Sequence, residues 1–170
     1  MLALLSAILA SSAPASALDA SVPWFERITV TVDDQGKQRT CHYQSSVDPA
    51  GPKPCDRAMA ATIPVIEPAI DGVYSRLTFE RRFSPAPKLD SGRLRAGDSL
   101  LAHKIMFLTI GADGSIASCR VVGRSGALMP AYGCDEAKAE QFSVSAGASA
   151  STSRQAFMTI LVYGHQEQIA

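Results

Sequence analysis

Residues 28–58, ITVTVDDQGKQRTCHYQSSVDPAGPKPCDRA, and residues 106–137, MFLTIGADGSIASCRVVGRSGALMPAYGCDEA, read as two versions of one pattern. Aligning Gly36 with Gly114 also aligns Cys41 with Cys119, at an offset of 78 in both places, and Cys134 then lies one residue beyond the equivalent of Cys55. A proline precedes each second cysteine, Pro54 and Pro130, and the tetrapeptides CDRA (55–58) and CDEA (134–137) follow in step. A shared order of strand, glycine turn, cysteine, proline and Cys-Asp-x-Ala marks an internal duplication.

Each copy is legible on its own. Ile28, Val30 and Val32 alternate with Thr29 and Thr31, the period of a strand with one buried face, and DDQG then turns the chain into a second strand through Tyr43. KIMFLTI, GADG and SIASCRVV repeat that hairpin, with glycine closing both turns. Cys55, Ala58, Met59 and Thr62 recur at helical spacing, as do Cys134, Ala137 and Gln141–Phe142 with Pro130 in a first turn. A last strand closes each half, YSRLTFERRF (74–83) and QAFMTILVYG (155–164). The expected fold is α+β: two small β-β-α-β units, residues 18–83 and 100–170, each a three-stranded antiparallel sheet with one helix. The stretch SPAPKLDSGRLRAGDS (84–99), rich in Pro, Ser, Gly and charge, reads as a linker. SAGASASTS (145–153) reads as a loop or hairpin tip.

At the N-terminus, LALLSAILA followed by small residues and Ala15-Ser16-Ala17 has the form of a secretory signal cleaved after Ala17. Nine apolar residues are too few to span a bilayer, which needs about 20. The expected location is therefore the periplasm, with an uncleaved N-terminal anchor as the alternative. The chain carries 16 basic and 16 acidic residues and no net charge, so it lacks the cationic surplus that nucleic acid requires. In an oxidising compartment four cysteines imply two disulfides, and the absence of a Cys-x-x-Cys knuckle argues against zinc. Four cysteines allow three pairings. The duplication favours Cys41–Cys55 and Cys119–Cys134, because a unit of about 70 residues buries little core. Closing a loop of about 15 residues would add roughly 3 kcal/mol to each.

The C-terminal half resembles the C-terminal domain of TonB-like proteins of Gram-negative envelopes. The resemblance rests on the ADGSI turn, the strand CRVVGRSG with Arg124-Ser125-Gly126 at the family's Ser-Gly signature, the helix holding Cys134, then Phe142 and a final apolar strand. The first half resembles it more distantly, through QSSVD and EPAIDG. The resemblance implies an envelope protein whose sheet edge binds a peptide from an outer-membrane receptor by strand addition. On that basis the last strand, Phe157, Met158, Thr159, Ile160, Leu161, Val162 and Tyr163, is the candidate binding edge. The chain departs from energy-transducing members in lacking a Pro- and Lys-rich spacer. A structural envelope protein, whose units pair with each other and bind no receptor, is the alternative.

No residues stand at catalytic or metal-binding spacing, and the expectation is a non-enzymatic protein with no cofactor and no evident small-molecule substrate. Ser125 lacks the Gly-x-Ser-x-Gly context of a nucleophile elbow and reads as a turn residue. His42, His103 and His165 lie on separate segments. Asp33, Asp34 and Asp113 read as turn formers, Glu80-Arg81-Arg82 as a solvated strand end, and Trp24 and Phe25 as packing residues.

Overall fold

The computed structural model describes residues 18–33, 38–47, 53–55, 74–126, 131–144 and 153–166. Alternating strands dominate them: β1 (Leu18–Asp19), β2 (Trp24–Val32), β3 (Gln38–Ser45), β4 (Lys53–Pro54), β5 (Arg76–Pro85), β6 (Asp98–Ile110), β7 (Ile116–Gly126), β8 (Phe142–Ser143) and β9 (Arg154–His165). One short helix, α1 (Cys134–Lys138), is present among the described residues.

The two expected three-stranded sheets are instead one. All strands except β1 and β8 join a single sheet in the order β4-β3-β2-β5-β9-β6-β7, and every pair in it is antiparallel. Within each copy the hairpin's first strand, β2 or β6, lies between the second strand and the third, so the order β3-β2-β5 is mirrored by β9-β6-β7. The copies meet third strand to third strand, with Arg76 opposite His165 at one end of the β5·β9 seam and Pro85 opposite Ala156 at the other. This overturns the α+β expectation of two separate units, and the reason is physical. Separate units would leave β5 and β9 as long apolar edges with unpaired N–H and C=O groups, and pairing them satisfies both. β1 adds a second tie between the halves, running parallel to β8.

Residues directly opposite one another form rows across the sheet. Ile28, Phe79, Val162 and Ala102 make one row, and Trp24, Phe83, Met158 and Met106 another, on the same face. They anchor two buried clusters. Trp24 stacks on Phe83 at 5.3 Å, Phe142 tilts against Phe83, and Ala137 of α1 is buried in the same cluster. Between the clusters runs a row of Glu26, Arg81, Ile160 and Lys104. Glu80-Arg81-Arg82 is thus no solvated strand end: it lies in the middle of the sheet, and all three residues are ion-paired.

The disulfides close within each copy, Cys41–Cys55 and Cys119–Cys134, with Cα separations of 5.4 and 5.5 Å. The second ties β7 to the start of α1. The first ties β3 to the residue that follows β4. Gly114 ends the β6–β7 turn at φ +81°, and a Cβ there would overlap the carbonyl of Phe142, so the close approach of β8 to the turn requires glycine.

Within the expected linker, residues 84–85 continue β5 and 98–99 begin β6. The stretch between them lies across the face opposite the core. Asp90 binds Arg82 at 2.6 Å, Ser84 accepts a hydrogen bond from the Asp90 N–H, and Gly92 packs on Leu161 and Arg82. The expected signal (1–17), the first-half helix beyond Cys55, the Gly36 turn, Asp34, the EPAIDG segment, Pro130 and most of 145–153 lie outside the described residues.

Candidate functional site

Strand β9 is not an edge. Phe157 to Tyr163 are hydrogen-bonded into β5 on one side and β6 on the other, so no incoming strand can add there. Met158, Ile160 and Val162 are buried on the core face, and Thr159 and Leu161 are buried on the other. Phe157 packs edge-on against Phe107 at 5.3 Å, and Tyr163 donates a hydrogen bond to Glu80. The sequence signal for this was present: a strand apolar almost throughout is one buried on both faces, as central strands are.

The true edges lie elsewhere. On the first-copy side β4 caps β3 opposite His42 and Tyr43, and the Cys55 N–H donates to the Cys41 carbonyl at 3.2 Å. At the other side β7 pairs only with β6 among the described residues. Among the described residues no strand pairs with its outward side, and Val121 and Val122 are 48% and 44% exposed. Register shifts opposite Ile105/Met106 and Thr109/Ile110 place one extra β7 residue at each point, and such bulges restrict regular pairing to short stretches. Arg120 and Arg124 give this edge a positive charge, with Arg120 over the Phe107 ring at 5.0 Å.

Ser125 belongs to β7 rather than to a turn, and its hydroxyl lies 3.0 Å from Nδ1 of His103. Among the described residues no carboxylate is paired with His103. His165 pairs with Asp98 at 2.9 Å, and His42 is exposed on β3. Asp113 holds the Ser115 N–H and hydroxyl in the β6–β7 turn, and Asp33 binds Arg39 at 2.7 Å. Among the described residues no three His, Cys, Asp or Glu side chains converge on a metal position. No helix there is long and apolar enough to cross a membrane.

A feature that the sequence reading missed lies on the face opposite the core. Arg27, Thr29, Gln44, Arg76, Thr78, Arg95, Asp98 and Tyr163 line a pocket of about 190 Å³. Its floor is the cross-strand row Thr29, Thr78 and Tyr163. Beneath one wall sits Glu80, 3% exposed, which binds Arg27 at 2.6 Å, Arg82, and the Tyr163 hydroxyl at 3.2 Å. Burial and the neighbouring Glu80 carboxylate push the Tyr163 hydroxyl above its ordinary range, so it stays a donor. The arginines come from segments 27, 76 and 95, far apart in sequence, and only the pairing of β2 with β5 and the return of 86–97 bring them together. Compared with known protein families, with curated proteins and with solved structures, the chain matches none.

Proposed function

We propose that the chain is an exported, non-enzymatic binding protein that captures an extended peptide by strand addition along β7. The observation that carries this reading is the asymmetry of the sheet: one edge is capped by β4 and stapled by Cys41–Cys55, and the other has no strand beyond it among the described residues. Strand addition draws affinity from backbone hydrogen bonds and selectivity from alternate side chains. Exposed Val121 and Val122 beside Arg120 and Arg124 fit a peptide that carries both apolar and acidic residues. The TonB-like pattern of the second half supports outer-membrane receptor segments as its source. Export is supported by the Ala15-Ser16-Ala17 site and by two disulfides, which persist in oxidising compartments.

A second reading is favoured by the β5·β9 seam. In that reading the third strands of both copies consume each other, and the protein is a structural envelope component without a receptor. An NMR titration of the labelled, oxidised protein with peptides from the N-terminal segments of outer-membrane receptors separates the two. Shifts concentrated in residues 116–126 are expected. Arg120→Pro and Val121→Pro place the defect, since one of the two removes an outward N–H, and the variant that stays folded should lose binding. Shifts elsewhere, or none, would leave the structural reading standing. Mass spectrometry of periplasmic extracts should find a chain beginning at Leu18, and an intact Met1 would count against cleavage.

A further inference from the structure

We propose that the pocket between β2, β5, β9 and the 95–98 turn binds an oxyanion, a carboxylate or phosphate, carried by a small hydroxylated molecule. The inference stands apart from the β7 reading and rests on which charges in the pocket are already satisfied. Both acids near it are fully engaged. Asp98 gives one oxygen to His165 at 2.9 Å and the other to the backbone N–H of Arg95 at 2.8 Å. Glu80 gives its oxygens to Arg27, Arg82 and Tyr163. Arg76 and Arg95 line the same pocket with no side-chain partner among the described residues. Two guanidinium groups, each with five N–H donors in a planar fork, therefore face a cavity in which each carboxylate among the described residues already holds other partners.

Both cations stand on hydrogen-bonded backbone. Arg76 lies on β5, paired to Thr31 on one side and His165 on the other. Arg95 sits in a turn closed by the Asp98 N–H donating to the Arg95 carbonyl at 3.0 Å, and the Gln166 N–H anchors that turn at Gly97. Such preorganisation lowers the ordering cost of binding. The rest of the lining selects the ligand's character. Thr29, Thr78, Gln44 and Tyr163 offer hydroxyl and amide groups, and no aliphatic side chain lines the pocket among the described residues. An apolar anion would leave those groups unpaired, whereas a sugar acid or sugar phosphate would pair them.

Glucose 6-phosphate and glucuronate, with neutral glucose as control, are the probes for calorimetry and NMR titration of the oxidised protein. Saturable binding of at least one anion is expected, with shifts at Thr29, Thr78 and Tyr163 and affinity that falls as salt rises. Which anion binds assigns the group as phosphate or carboxylate. Arg76→Gln and Arg95→Gln should each weaken binding roughly tenfold or more while leaving thermal stability near that of the parent. Neither side chain has a partner among the described residues, so at least one variant reports on binding alone. Absence of saturable binding by both anions, equal binding of glucose, or undiminished affinity in both folded variants would overturn the proposal.

Discussion

Arg81 binds Glu26 and Glu140, donates a hydrogen bond to the Tyr132 hydroxyl at 3.0 Å, and lies over the rings of Trp24 and Tyr132 at 5.2 and 5.0 Å. Burial alone would depress its guanidinium, but the Glu26 carboxylate, Tyr132 and Glu140 outweigh burial and hold it charged. Because Glu26 comes from the first copy and Tyr132 and Glu140 from the second, this one side chain fastens the halves across the core face. Arg81→Met should cost about 3 kcal/mol by chemical denaturation, since it strands two carboxylates. Adding Glu26→Gln and Glu140→Gln should recover part of that loss, and full additivity of the three would contradict the network. Glu26 also accepts the Tyr43 hydroxyl at 2.7 Å, and burial first, then that hydrogen bond, pushes Tyr43 up to about 12 from an ordinary 10.0. The folded value lies above the unfolded one, so the contribution is complete below pH 10 and is lost as pH rises toward 12. The stability difference between the parent and Tyr43→Phe, measured across that window, should shrink, and a pH-independent difference would refute the assignment.

At the scale of elements, the Cys119–Cys134 link matters because α1 is only Cys134–Lys138 and has no stability of its own. Replacing both cysteines by serine should cost about 3 kcal/mol and free α1 from β7, read as lost protection of the Ala137 amide. Retained protection would show that burial of Ala137 suffices. The hairpins and within-copy disulfides were legible in the sequence because they are local: alternation, a glycine turn and a cysteine spacing of 14 or 15 residues suffice to suggest them. Strand neighbours were not. Glu80-Arg81-Arg82 looks solvated in isolation because its partners Arg27, Glu26 and Glu140 stand 53, 55 and 59 residues away. The arginine pocket was hidden for the same reason.

For the whole molecule, the duplicated pattern led to a fold in which the copies complete each other. Each third strand is the other's missing neighbour, which moved the expected binding edge into the sheet centre and left β7 as the exposed flank. The second half expressed alone, residues 98–166, should therefore expose β9 and self-associate, and a stable monomer by sedimentation would argue against dependence on β5. Native-state amide hydrogen exchange on the intact oxidised protein tests the account most directly. It predicts that successive amides from Phe157 to Tyr163 all exchange slowly, near the global unfolding limit, while alternate amides along Ser118–Val121 exchange fast because they face outward. Fast exchange at alternate residues of β9 would mean that strand is an edge after all and that the two copies fold as separate units.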